Sequence, residues 1–134
     1  MLFSCNLAFS QKYVRDYFEK YTPFAIEHEQ KYGIPASITL AQAALESGYG
    51  RSRLAREHKN HFGIRNGVKY ALYSSAEYSF VHHSRVLLSK RYELLFELDV
   101  SDYKGWAHGL QKCGYAQDSL YAQKLIYIIE HYIR

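Results

Sequence analysis

Apolar positions recur at helical spacing over most of the chain. Ile38, Ala41 and Leu45 follow Pro35 at that spacing, which predicts a helix running to Gly48. Upstream, Thr22-Pro23 reads as an N-cap and first helical position, and Gly33 as the C-terminal stop. Arg51 to Glu57 reads as a short helical turn. Ser74 with Glu77 three residues on reads as a capping box, opening a helix that carries Phe80, Val86, Leu87 and Leu88. Leu94, Leu95 and Leu98 mark another short helix. Asp99 to Asp102 offers caps for a helix through Trp106 and Leu110, which Gly114 stops. Asp118 caps a last helix with Tyr121, Leu125, Ile128, Ile129 and Tyr132 on one face. Only Phe62 to Tyr73 breaks the pattern. There Asn66-Gly67 separates two β-prone runs, the signal of a two-residue hairpin. The predicted fold is mainly α: one helical domain with a small β-hairpin flap beside a cleft.

Composition changes this picture in two respects. Aromatic residues are 16% of the chain, with fourteen tyrosines against one tryptophan. Tyrosine joins a flat apolar face to a polar tip, which suits a core edge or a sugar-binding groove. The net charge of +4 favours an anionic partner: cell-wall polymer, nucleic acid or membrane surface. The basic residues are scattered, and Arg51, Arg53 and Arg56 form the one tight group, so no nucleic-acid partner is expected. No stretch is long and apolar enough to insert stably in a membrane. Cys5 and Cys113 match no metal spacing, and Cys113 is expected as a small buried hydrophobe. His58, His61, His82 and His83 cluster in sequence, but adjacent His82 and His83 point to different helix faces, so no metal site and no cofactor are expected. Residues 1–11, MLFSCNLAFSQ, read either as the tail of an export signal or as a frayed terminus, which leaves residues 12–134 as the domain. A monomer is expected, exported to the periplasm or cell envelope.

Glu46 is the residue with chemical promise. Thr39, Gln42 and Glu46 form a polar stripe at helical spacing, and Glu46 falls in the last turn of its helix. The negative end of the helix dipole disfavours its charged form there, and tyrosine-rich surroundings would disfavour it further. Both effects raise its pKa toward what a general acid needs. The alternative is a structural ion pair with Arg51 or Arg53.

The run from Tyr32 to Gly50, YGIPASITLAQAALESGYG, resembles the signature of glycoside hydrolase family 73, bacterial N-acetylglucosaminidases acting on peptidoglycan. Ser52-Arg-Leu-Ala55, Asn60-His-Phe-Gly-Ile-Arg65, the block from Asp102 to Asp118 and the run from Tyr121 to Ile126 fit in the same order. The resemblance covers nearly everything from about Tyr13 onward. It implies a lysozyme-like α-fold and cleavage of the bond after N-acetylglucosamine by an endo-acting enzyme, with a glycan strand as partner. It also implies Glu46 as catalytic acid and Tyr115 as a second active-site residue. Tyr49, Phe62, Gln42 and Asn60 are the implied substrate-binding residues.

One feature departs from that family. Many members carry a longer β-lobe, often with a second acidic residue late in it. Here Arg65 to Tyr73 contains no Asp or Glu. Glu77 is the nearest acid downstream and is assigned the capping role above. Three readings stay open: attack by the substrate's own acetamido group, recruitment of Asp118 or Glu57, or a module that binds glycan without cutting it.

Overall fold

The computed structural model describes residues 2–134, with side chains from Gln11 onward. Cys5 and the leader-like stretch therefore fall outside the residues whose side chains are described. Helix α1 spans Leu2–Tyr32, α2 Ala36–Ser47 and α3 Arg53–His58. Strands β1 (Arg65–Asn66) and β2 (Lys69–Tyr70) form the flap. Helix α4 spans Ala76–Leu87, and a 3-10 helix follows over Lys90–Glu97. Helices α5 (Tyr103–Lys112) and α6 (Tyr121–Ile128) complete the domain, and a π-helical turn over Ile129–Ile133 ends it.

Helix α2 is the axis of the core. Every residue from Ile38 to Ala44 is buried, and α1, α5 and α6 all pack against it. Ala41, Ala43 and Ala44 let the neighbouring backbones approach closely, while Trp106, Leu110, Leu125 and Ile129 fill the space from α5 and α6.

Five local expectations are corrected. Thr22-Pro23 does not start a helix, because α1 runs through Pro23. Val14, Tyr17, Phe18, Tyr21, Ala25 and His28 keep one buried face across it, so packing outweighs the lost backbone bond. Exposed Pro23 leaves that defect to solvent. The cap of α4 is Ser75, whose hydroxyl accepts from Tyr78 N–H, so Glu77 is not a capping-box partner of Ser74. Asp118 accepts from Leu120 N–H in a turn just before α6, and Leu120 itself holds the N-cap position. The hairpin pairs Arg65 with Tyr70 and Asn66 with Lys69, so its loop is Gly67-Val68, one residue later than the Asn-Gly signal suggests. Gly67 supplies the positive φ of 70° which that first loop position requires. Cys113 is half-buried and free, not fully interior as expected.

Candidate active site

Glu46 sits in the last turn of α2, where left-handed Gly48 closes the helix. It is exposed, and it faces the root of the flap: a Cβ placed on Gly63 would lie 3.6 Å from its Oε2. Neither suggested ion pair forms. Arg53 binds Glu57 at 2.7 Å, and Arg51 lies over the Tyr13 ring at 4.3 Å. Among the described residues the Glu46 carboxylate has no salt-bridge partner. Desolvation by the walls around it raises its pKa above the ordinary carboxylate value. No other acid contributes to that shift.

Tyr115 follows α5 and is half-buried beside Glu46. Its pKa is pushed well above the usual tyrosine value by burial, then by the charges of Tyr121, Glu46, Tyr92 and Tyr73. The ring stacks on Tyr121 at 5.7 Å and meets Tyr92 at 6.0 Å. Its hydroxyl makes no hydrogen bond among the described residues, so it is free for a ligand. Tyr73, at the foot of the flap, shares a 2.6 Å hydrogen bond with His82 Nδ1. The arrangement is one uncommitted carboxyl group and one uncommitted phenol at the same end of α2.

Three of the residues expected to touch substrate are interior instead. Gln42 is fully buried, donating to the Tyr121 hydroxyl at 2.9 Å while its oxygen lies 2.8 Å from His83 Nε2. Phe62 is buried face to face with His83 at 4.0 Å and edge-on to Phe80. Asn60 uses both ends of its amide. Nδ2 donates to the carbonyls of Ile64 and Ala71, and Oδ1 accepts from Phe62 and Ile64 N–H. That knot holds the flap root, and with it Gly63, against Glu46. Asn60→Ala is therefore expected to destabilise the domain by about 3 kcal/mol in a thermal melt. A loss within the range of a surface change, about 0.5 kcal/mol, would contradict this role.

Tyr49 lies on another face. With φ 57° it packs among Tyr13, Tyr17, Phe18 and Tyr132, and burial raises its pKa to about 12. It lines a concavity of about 550 Å³ with Lys20, Lys59, His61 and Glu77, from which Glu46 and Tyr115 are absent. Glu77 therefore faces away from the cleft. Asp118 is engaged by Lys124 and Leu120, and Glu57 by Arg53, so neither alternative acid is free. A larger groove of about 840 Å³ between α1, α2 and the C-terminal turn also contains neither Glu46 nor Tyr115. Among the described residues no group of His, Cys, Asp and Glu is placed to hold a metal ion, and no helix is long and apolar enough to cross a membrane.

Sequence reasoning assigned Tyr121 to the core face of the last helix and His83 to a histidine cluster with no metal. Neither was read as part of the site. Their link through Gln42 joins three helices, and helical periodicity carries no sign of a contact so distant in sequence.

The geometry agrees with what comparison finds. The family model described as mannosyl-glycoprotein endo-beta-N-acetylglucosaminidase matches residues 22–134. Exo-glucosaminidase LytG of Bacillus subtilis is 31% identical over 77% of this chain and 46% of its own length. Peptidoglycan hydrolase FlgJ of Escherichia coli K12 is 30% identical over 75% of this chain and 41% of its own. The chain thus spans less than half the length of these curated relatives. The catalytic domain of the Listeria monocytogenes autolysin Auto superposes with a TM-score of 0.79 at 27% identity, covering 90% of this chain and 84% of that one. A lysozyme-like helical fold, one uncommitted glutamate at the end of α2 and a family match over most of the chain agree: the chain belongs to the glucosaminidase family.

Proposed function

We propose that this domain hydrolyses the glycan strand of peptidoglycan at the β-1,4 bond after N-acetylglucosamine, with Glu46 as general acid. The observation that carries the reading is a carboxyl group exposed at the root of the flap, without a salt bridge and with a raised pKa. A raised pKa favours the protonated form, which can give its proton to the leaving oxygen. An endo-acting cut within the strand is the proposed mode, in a protein exported to the cell envelope.

The surroundings of Glu46 support a route with one protein carboxylate. Glu46 donates its proton to the glycosidic oxygen as the C1–O bond breaks. The carbonyl oxygen of the neighbouring acetamido group bonds to C1 and gives a cyclic oxazolinium. Water then attacks C1, the C1–O bond to the acetamido group breaks, and Glu46 recovers a proton from that water. The Tyr115 hydroxyl orients the acetamido group or the water. Two displacements at C1 retain its configuration. NMR of freshly released products is expected to show the β-anomer first. An initial α-anomer would mean that water attacks directly, and would sink the acetamido route.

The missing second acid also favours another reading, a module that binds glycan without cutting it. Glu77 discriminates further. Its place with Lys20 and Lys59 predicts that Glu77→Gln keeps turnover within about twofold of wild type. A loss of 100-fold, the size seen for a catalytic base, would make it the second carboxylate after all.

A further inference from the structure

Three buried polar side chains are joined behind Tyr115. Gln42, His83 and Tyr121 are each at most 1% exposed. Gln42 Oε1 lies 2.8 Å from His83 Nε2, and Gln42 Nε2 lies 2.9 Å from the Tyr121 hydroxyl. The protons in this chain follow one from another. An amide oxygen only accepts, so His83 carries its proton on Nε2 and donates it. An amide nitrogen only donates, so the Tyr121 oxygen accepts. The Tyr121 proton is left over and points away from Gln42. The opposite amide orientation would put an N–H on His83 Nδ1, which is buried with no partner among the described residues. Orphaned buried N–H groups are the rarer defect, so the first arrangement holds.

Such a chain is a costly way to fill a core. Among the described residues His83 Nδ1 goes unpaired, where apolar side chains of the same volume would leave no such defect. Its geometry supplies a reason. Tyr115 rests against the two outer rings, stacked on Tyr121 at 5.7 Å and edge-on to His83 at 6.3 Å. Gln42 ties those rings together. Glu46 follows Gln42 one turn along the same helix face. We propose that Gln42, His83 and Tyr121 are positioning residues that hold the Tyr115 ring in place beside Glu46. The Glu46 charge is felt at both tyrosines, raising the pKa of each in addition to burial. The proposal rests on the reading of Glu46 and Tyr115 as the catalytic pair.

The test is Gln42→Met in the full chain, which keeps the volume and cuts both hydrogen bonds. It is expected to lower kcat about tenfold with KM held within about twofold. Tyr115→Phe should cost less in the Gln42→Met background than in wild type, because the hydroxyl is already misplaced there. NMR of the Tyr115 ring, which needs no turnover, should show its shifts change in Gln42→Met. Unchanged kcat and unchanged Tyr115 shifts, with only the melting temperature altered, would reduce the chain to packing and overturn the proposal. A wild type without turnover whose Tyr115 shifts still move in Gln42→Met would overturn the hydrolase reading and support the positioning chain.

Discussion

Glu46→Gln is expected to lose about 10³-fold of glycan hydrolysis while keeping the fold. Glutamine matches the shape of the carboxyl group but has no proton to give to a leaving oxygen. The variant breaks no ion pair, because Arg51 and Arg53 are engaged elsewhere. Its stability has a definite sign. A carboxyl group whose folded pKa lies above its unfolded value weakens the fold once pH rises past that unfolded value. Glu46→Gln should therefore melt at the same temperature as wild type or slightly higher at neutral pH. Loss of activity together with a lower melting temperature would point to a structural Glu46. The raised pKa also places the alkaline limb of kcat above the ordinary carboxylate range, and Glu46→Asp should change the position of that limb.

The second large effect is acid lability. His61 and His83 are buried, and desolvation lowers their pKa values to about 4 and about 3. Burial lowers His28 as well. These rings are neutral in the fold but take up protons when unfolded, from about pH 6.5 downward. Their contribution to stability is complete above pH 6.5 and is lost as pH falls toward 4. Each contributes about 1.4 kcal/mol per pH unit in that window. By pH 4.5 the loss for His61 and His83 together is on the order of 4 kcal/mol, much of the stability of an ordinary domain. Asp99, Asp118, Glu57 and Glu130 have lowered pKa values, through hydrogen bonds first. Their contributions are lost only as pH falls below the ordinary carboxylate range, so the histidine step stands apart. Melting temperature should fall steeply between pH 6.5 and 4.5, and His61→Phe should flatten the slope. A flat profile over that window would refute the assignment.

Much of the scaffold was legible in the sequence, and the reason is local. Ile38, Ala41 and Leu45 mark the face of α2, and Gly48 and Gly114 end their segments with the positive φ that glycine tolerates. The flap was legible from Asn66-Gly67 to within one residue of register. Pro23 was misread because a proline inside a helix and one at its start look alike until the buried face on both sides is known. Within the site, Glu46 stood out because its place at a helix end is a local property. Gln42, Asn60 and Phe62 were misplaced as sugar contacts. A polar or aromatic residue in a recognised motif reads the same whether it faces substrate or holds the wall behind it. What separates the two is burial and partners: His83 and Tyr121 for Gln42, Ile64 and Ala71 for Asn60. Those partners lie up to 79 residues away, beyond any helical or strand period.

The most direct test of the central claim is digestion of purified peptidoglycan by wild type and by Glu46→Gln, with mass spectrometry of the reduced products. The account predicts wild-type fragments ending in reduced N-acetylglucosamine, and none from Glu46→Gln above background. Wild-type protein that binds the glycan and releases nothing would contradict it, as would a Glu46→Gln variant that still cuts.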